Sequence, residues 1–213
     1  MTIPKLHYIS EGSSTKEHLE NIQKACTYGA ELVQLGFLKV SEKNLLKIAQ
    51  EAREITAHFQ TRLILSDHYK IAKEVKADGV LLSAMGTLPI EVRNYLYTWQ
   101  MIGGSAHTLQ DCEALLEKQA DYICLGPFRA AASDHTAVTL GIQGYTAITN
   151  LLHSETPILA MGDITITDVA ALLDAGISGL AVSEAITNDF NSIKVFHQLL
   201  KASSTQEQRH SFK

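Results

Sequence analysis

The sequence predicts an α/β protein folded as a single-domain (β/α)8 TIM barrel, and two observations lead to this fold class. A short apolar run followed by an amphipathic helical stretch recurs eight times along the chain, and strands that alternate with helices form parallel sheets. The chain has 213 residues, which is enough for eight such units without large insertions. The predicted strands are 6–9, 32–35, 63–66, 79–82, 101–104, 122–125, 157–160 and 179–182.

Capping signals place helices between these strands. The run 13–15 (SST) opens the first helix, which ends at Tyr28 and Gly29, and 41–44 (SEKN) opens the second. Apolar residues at helical spacing over 45–55 predict that the second helix buries one face. The later helices are predicted to begin near Tyr69, Pro89, Thr108, Ile142, Thr165 and Ser183.

Two segments depart from this regular alternation. The stretch 126–140 is long for a connection in a compact barrel, and such loops are usually functional or mobile. From Ser203 onward the sequence is polar and has no apolar repeat. We therefore predict one barrel domain, residues 1–202, followed by a polar C-terminal tail, residues 203–213.

Composition narrows the classes of function. The formal net charge is −5, the pI is about 6.0 and no Lys/Arg cluster is present, which disfavours nucleic-acid partners. No signal peptide or membrane span is visible, so we expect a cytoplasmic protein with no membrane partner. Cys26, Cys112 and Cys124 lack metal-type spacing, and we expect reduced, buried thiols.

In such barrels the chemistry lies on the loops that follow the strands. Asp67 and His107 are the clearest titratable residues there. Asp67 either binds Mg²⁺, acts as a base or caps the next helix. His107 either serves as a general acid or base or is hydrogen-bonded to a neighbouring loop, whereas His68 and His135 are expected to face solvent. The other polar or special residues at the strand ends are Ser10, Gln34, Ser66, Ser83, Ser105, Arg129, Gly162 and Ser183.

Several stretches resemble the thiamine phosphate synthase and TenI family of thiamine biosynthesis. The stretch 140–145 (LGIQGY) is similar to the Leu-Gly-Leu-Glu-Gly start of a family helix. The resemblance covers nearly the whole chain and implies a barrel that binds small thiamine precursors and associates into homo-oligomers. The most specific stretches are 30–35 (AELVQL), 77–80 (ADGV), 104–108 (GSAHT), 120–128 (ADYICLGPF) and 175–183 (AGISGLAVS).

The resemblance also implies a reaction. Family synthases join hydroxymethylpyrimidine diphosphate to thiazole phosphate and release pyrophosphate, and Mg²⁺ and basic residues hold the negative charge of the leaving group. The resemblance implies that Gln34, Ser66, Ser105 and Ser183 would contact substrate. Asp67 would bind the metal, and Gly162 would belong to a phosphate-binding turn.

The chain departs from the family pattern at each of its phosphate sites. The family's Gln-x-Arg-x-Lys becomes 34–38 (QLGFL), with Lys39 one position late. The second metal carboxylate falls at about Gly86, and the family's Thr-x-Thr-Lys becomes 130–134 (AAASD). The family's Gly-Gly after strand seven becomes 162–163 (GD). A carboxylate about 5 Å from a phosphate charge costs roughly 3 kcal/mol at an effective dielectric constant near 20.

Three functions therefore remain open. The first is the synthase reaction, with Asp67 holding Mg²⁺ and Lys39 or Arg129 replacing the lost cations. The second is a TenI-type thiazole tautomerase in which His107 transfers the proton. The third is a barrel that binds an unphosphorylated ligand or a protein partner without the family's reaction, because a stable fold does not require an active site.

Overall fold

Eight described strands close into a parallel barrel in chain order. The computed structural model describes residues 2–36, 39–83, 89–130 and 138–210, and for 202–210 only the backbone. The first strand pairs with the second and the eighth, which closes the sheet and confirms the predicted (β/α)8 barrel. The strands are β1 (Leu6–Ile9), β2 (Leu32–Leu35), β3 (Arg62–Ser66), β4 (Gly79–Leu82), β5 (Met101–Ala106), β6 (Tyr122–Leu125), β7 (Ile158–Met161) and β8 (Gly179–Val182).

Helices connect the strands, and their starts follow the predicted caps. The hydroxyls of Ser14 and Ser41 accept hydrogen bonds from the first turns of the first two helices. A 3₁₀ turn, Ile166–Asp168, precedes the seventh helix. No helix within the described residues is long and apolar enough to cross a membrane. The helices are α1 (Thr15–Thr27), α2 (Glu42–His58), α3 (Tyr69–Glu74), α4 (Pro89–Tyr95), α5 (Leu109–Glu117), α6 (Gly141–Leu151), α7 (Val169–Asp174), α8 (Glu184–Asn188) and α9 (Ser192–His210).

Strands β3 and β7 differ from the predicted boundaries by one residue, and two larger differences have a structural cause. Strand β5 continues to Ala106 because Ser105 and Ala106 pair in register with β6. The last helical stretch is divided into α8 and α9 because the Asp189 carboxylate accepts the backbone N–H of Asn191 at 3.0 Å and so forms a turn. The backbone over 203–210 continues α9, and the division into a barrel domain and a tail stays a prediction.

Two apolar clusters hold the barrel together. Alternate strand residues pack inside it, as Leu32 and Ile64 do, or outward against the helices, as Val33 does. The three cysteines are free and buried, as expected from the sequence. Burial raises the pKa of Cys124, which lies inside the barrel, to about 12, so this thiol stays protonated.

A polar pair is enclosed within the barrel near its amino end. The rings of His7 and Tyr122 meet edge to face with centroids 5.2 Å apart. Neither nitrogen of His7 nor the hydroxyl of Tyr122 has a hydrogen-bond partner. Burial lowers the pKa of His7 to about 3, so the ring is neutral near pH 7.

Two aspartates anchor the amino ends of the strands in the same way. Asp78, before β4, accepts the Leu63 N–H at 2.8 Å and pairs with Arg53 at 2.8 Å. Asp121, before β6, accepts the Ile102 N–H at 2.7 Å and pairs with Arg93 at 2.6 Å. Each carboxylate ties one strand's amino end to the preceding strand and to a helix outside the sheet. The Ala-Asp pairs at 77–78 and 120–121 thus have an architectural role, far from the carboxyl ends where barrel chemistry lies.

Candidate small-molecule site

A cavity of about 450 Å³, which we call the mouth cavity, opens at the carboxyl ends of the strands. Ile9 and Met161 form part of its apolar wall. Three of the predicted site residues, His107, Gly162 and Ser183, line it together. Its volume lies within the range of about 300–1,000 Å³ that is typical of small-molecule pockets, so we take it as the candidate site.

A second cavity of about 430 Å³, the adjoining cavity, lies beside the first and shares Ile9, Glu11 and Ser183 with it. Ser10 and His18 lie in its wall, and the Ser10 Oγ is 3.0 Å from the His18 Nδ1. The same Oγ accepts the backbone N–H of Gly36 at 3.0 Å. The pKa of His18 is lowered, mainly because the ring is buried. These contacts fix the loops after β1 and β2 against each other.

Glycine at position 36 is required by this contact. A Cβ at Gly36 would lie 2.1 Å from the carbonyl oxygen of Ser10 and 3.3 Å from the His18 ring. Only a movement of the backbone would make room for it. The family resemblance expects an arginine at this position, so the structure has no space at the place where that cation would stand.

The mouth cavity holds one histidine whose tautomer is defined. His107 follows β5, and its Nδ1 lies 2.6 Å from the carbonyl oxygen of Gly126. A carbonyl oxygen only accepts hydrogen bonds, so Nδ1 carries the proton. In the neutral ring Nε2 is then the proton acceptor. Of the two alternatives for His107, the hydrogen bond to a neighbouring loop is present, and it leaves the other nitrogen able to act as a base.

Gln34 and Ser66 are joined across the ends of β2 and β3. The Gln34 Nε2 donates to the Ser66 Oγ at 2.9 Å, whereas the Gln34 Oε1 is buried without a partner. Ser105 lies on β5, paired in register with Cys124. The structure thus brings two of these predicted contacts together, and the substrate roles of all three stay predictions.

Asp67 is held by the neighbouring strand. Its Oδ1 accepts the backbone N–H of Ser83 at 2.7 Å. The backbone of Asp67 itself is left-handed, with a φ of 57°. The carboxylate does not cap α3, because His68 is the residue at the cap position and makes no side-chain cap bond. His68 is exposed, as predicted.

The described residues form no preassembled Mg²⁺ site with several protein ligands. They bring no three His, Cys, Asp or Glu side chains together as metal ligands. Asp67 is the one carboxylate that the resemblance places at the metal site, and it already binds the end of β4. Mg²⁺ in proteins takes one or two carboxylates and completes its shell with water and substrate phosphates. Metal binding at Asp67 would therefore depend on a bound diphosphate.

The predicted replacement cations lie elsewhere. The Arg129 Nη1 donates to the Asp168 Oδ2 at 2.9 Å and to the Asp163 carbonyl oxygen at 2.6 Å. The guanidinium also lies over the Phe128 ring, 4.5 Å from its centroid. Lys39 is exposed in the loop after β2. Neither Arg129 nor Lys39 is among the described residues that line the mouth cavity.

Three acidic residues are among those that line the mouth cavity: Glu11, Asp163 and Glu184. The four ion pairs between described residues involve none of them. Glu11 and Glu184 were missed from the sequence, although each directly follows a serine, Ser10 or Ser183, that was selected as a strand-end residue. Extending that search by one residue would have found both.

Several positions used in the sequence argument lie outside the described residues. They include His135, which was expected to face solvent, and most of the long connection after β6. The remaining ones are Leu38, Gly86 and Asp134 at the altered phosphate and metal positions.

Comparison with known proteins decides the family. A family model described as thiamine monophosphate synthase matches residues 6–186. The chain belongs to the thiamine monophosphate synthase family. The resemblance noted in the sequence is therefore confirmed, and it places the protein among those of thiamine biosynthesis.

Curated relatives agree with this assignment. The thiamine-phosphate synthase of Flavobacterium johnsoniae is 32% identical over 199 residues, which cover 92% of this chain and 94% of the relative. The thiamine-phosphate synthase of Bacteroides fragilis is 31% identical over 186 residues, covering 85% and 91%. A solved thiamine phosphate pyrophosphorylase from Pyrococcus furiosus superposes with a TM-score of 0.80 at 22% identity, over 93% of this chain and 96% of that one. That likeness supports the barrel fold.

Proposed function

We propose that this family member binds a thiamine precursor or a closely related small molecule in the mouth cavity and does not catalyse diphosphate displacement. The observation that supports this most directly is the pairing of Arg129 with Asp168. Arg129 is the arginine closest in sequence to the altered 130–134 stretch, and its charge is already neutralised by a carboxylate. A diphosphate leaving group needs concentrated positive charge, because its negative charge grows as the bond breaks.

Two other described residues also reduce the positive charge at positions that the resemblance assigns to phosphate binding. Gly36 has no room for a side chain where the family resemblance expects arginine. Asp163 places a carboxylate at the turn after β7, where that resemblance expects glycine. The cavity thus combines an apolar wall with three acidic residues in its lining.

The test is a direct measurement of thiamine phosphate. The purified protein is incubated with hydroxymethylpyrimidine diphosphate, thiazole phosphate and Mg²⁺, beside the Flavobacterium johnsoniae thiamine-phosphate synthase as the active control. We expect no product above background at high protein concentration. Product that disappears in Asp67→Ala would overturn the proposal and would show that Asp67 holds Mg²⁺ together with substituted cations, Lys39 among them.

A second candidate function is proton transfer of the tautomerase kind. It is favoured by the hydrogen bond from His107 Nδ1 to the Gly126 carbonyl oxygen, which leaves Nε2 as a base at the cavity. Proton exchange in a thiazole phosphate tautomer, followed in deuterated water, would be abolished in His107→Asn if this function holds. Exchange that is the same in the variant as in the parent protein would exclude it.

Three expectations accompany these proposals. Small thiamine precursors are the ligands that we propose for this chain, by analogy with the relatives named as thiamine-phosphate synthases. A cytoplasmic location and association into homo-oligomers stay predictions from the sequence. Size-exclusion chromatography with light scattering measures the oligomeric state directly.

A further inference from the structure

We infer that Tyr145 is a positioning residue of the mouth cavity. Its buried hydroxyl ties the ends of β6 and β7 together, and it thereby holds the Gly126 carbonyl oxygen where that oxygen fixes the tautomer of His107. This inference rests on the second candidate function, since it names what keeps the proposed base in its proton-accepting form. Tyr145 is not among the described residues that line the cavity, so it acts through the backbone of the site.

The Tyr145 hydroxyl lies between two neighbouring strand ends. Tyr145 stands on α6 and is fully buried. Its Oη donates to the Leu125 carbonyl oxygen at 2.6 Å and also lies 3.3 Å from the Met161 carbonyl oxygen. Burial raises the pKa of Tyr145, so the hydroxyl keeps the proton that it donates. Since Leu125 ends β6 and Met161 ends β7, one side chain of the helical layer contacts both strand ends.

The turns that directly follow these strand ends are packed against each other. A Cβ at Gly126 would lie 2.4 Å from the Met161 carbonyl oxygen, which is the oxygen that also contacts the Tyr145 hydroxyl. A Cβ at Gly162 would lie 2.6 Å from the Pro127 Cβ. Neither turn has room for a side chain unless the backbone shifts. A movement of the Met161 carbonyl group would therefore displace Gly126.

Backbone hydrogen bonds join the same two turns. The Phe128 N–H donates to the Met161 carbonyl oxygen at 2.7 Å, and the Arg129 N–H donates to the Gly162 carbonyl oxygen at 3.1 Å. A carbonyl oxygen has two lone pairs, so the Met161 oxygen can accept the Phe128 N–H and still interact with the Tyr145 hydroxyl. Tyr145 thus belongs to the network that sets the position of the loop after β6.

This loop supplies the hydrogen-bond partner of His107. The Gly126 N–H donates to the Ala106 carbonyl oxygen at 3.0 Å, and the Gly126 carbonyl oxygen lies 2.6 Å from the His107 Nδ1. The hydrogen bond at one ring nitrogen sets which of the two nitrogens carries the proton. A displaced Gly126 carbonyl group would release the His107 ring, and Nε2 would no longer be held as the proton acceptor.

The test removes the Tyr145 hydroxyl and keeps its ring, in Tyr145→Phe. The tautomer of His107 is read from the ¹⁵N chemical shifts of its ring nitrogens, at a pH above the usual titration range of histidine. The chain has nine histidines, and the His107→Asn spectrum assigns the signal. We expect the Nδ1–H tautomer in the parent protein, whereas at least about a third of the Tyr145→Phe molecules should carry the proton on Nε2.

Tyr8→Phe is the matched control. Tyr8 is also buried, and its hydroxyl lies 3.0 Å from the Thr187 Oγ1, so this variant likewise loses one hydrogen-bonded hydroxyl. Both variants should lose some unfolding stability, but only Tyr145→Phe should change the His107 signal. The Nδ1–H tautomer retained in full in Tyr145→Phe would overturn the inference, as would the same change of tautomer in both variants.

Backbone amides provide a second measurement. We expect the Phe128 and Arg129 amides to exchange with solvent about tenfold faster in Tyr145→Phe than in Tyr8→Phe, because their acceptors lie on the turn that the Tyr145 hydroxyl holds. Near-UV circular dichroism establishes that both variants are folded. Equal exchange in the two variants would refute the coupling between Tyr145 and the loop after β6. An Nε2–H tautomer in the parent protein would refute the inference without any variant.

The inference and the candidate functions fail in different measurements. The tautomer is measured without a ligand, so an unchanged His107 signal in Tyr145→Phe refutes the role of Tyr145 whatever reaction the protein catalyses. Absence of proton exchange in the parent protein refutes the tautomerase function, and the tautomer measurement still decides the role of Tyr145. Formation of thiamine phosphate in the turnover assay overturns the first proposed function alone.

Discussion

The Arg129 guanidinium and the Asp168 carboxylate form a two-point ion pair that joins the loop after β6 to the last residue of the 3₁₀ turn before α7. Asp168 also accepts the backbone N–H of Thr165 at 2.8 Å, so one carboxylate closes a helix start and binds the arginine. The pair neutralises the charge of Arg129, the cation that stands directly before the altered 130–134 stretch.

The first prediction concerns this pair. Asp168→Asn keeps an oxygen for Thr165 but loses the charge that holds Arg129, and we expect the free energy of unfolding to fall by about 1–3 kcal/mol. Chemical denaturation measures the change. Glu20→Gln is the control, because the Lys16–Glu20 pair is exposed and worth less than about 1 kcal/mol. Equal effects of the two substitutions would contradict the prediction.

Gly36 gives the second prediction. Gly36→Ala would place a methyl group against the Ser10 carbonyl oxygen, and the backbone shift required should cost about 1–3 kcal/mol of unfolding free energy. Gly141→Asn is the comparison, since Gly141 has a φ of 53° and open space around its Cβ position, and Asn tolerates that conformation. A Gly36→Ala protein as stable as its parent would mean that the loop adapts freely and that arginine could return there.

The third prediction is a pH dependence set by His7. Its pKa is about 3 in the folded protein against about 6.5 unfolded, so the unfolded state binds more protons between these values. Stability from this group is complete above about pH 6.5 and is lost as the pH falls toward 3. From pH 7.5 to 5 the loss is about 2 kcal/mol.

Chemical denaturation at those two pH values tests it. His7→Leu should remove this part of the pH dependence, whereas His153→Gln, at an exposed position, should keep it. The pKa of His18 is also lowered, so His18 contributes in the same direction to the pH dependence of stability in the parent and in both variants. The same pH dependence in His7→Leu and the parent protein would show that His7 is not the source.

The fourth prediction is that a substitution at the amino end of the barrel lowers stability and leaves the site at the carboxyl end unchanged. Asp121→Ala leaves the Ile102 N–H and the Arg93 guanidinium without their carboxylate, and we expect a loss of about 1–3 kcal/mol in unfolding free energy. Ligand affinity, measured well below the melting temperature so that the variant is fully folded, should stay within twofold of the parent. Asp174→Ala, at an exposed position on α7, is the stability control. A large loss of affinity in Asp121→Ala would show that the two ends are coupled.

The sequence was sufficient for the barrel because each strand and helix start carries a local signal. Strand β6 and the α5 cap at Thr108, for example, lie where apolar runs and capping residues placed them. The site was predictable only in part. His107 and Gly162 could be found at strand ends, but the pairing of Arg129 with Asp168 spans 39 positions in the chain and depends on side-chain directions that no local pattern specifies.

The anchors at the amino ends have a consequence for how such proteins are recognised. The Ala-Asp pairs at 77–78 and 120–121 are among the stretches that place this chain in its family, and their carboxylates serve the architecture alone. A family assignment that rests on these pairs therefore reports the barrel scaffold and not the residues of the site. A chain can therefore keep these marks of its family while residues at the opposite, carboxyl end of the barrel differ from the family pattern, as they do at 162–163.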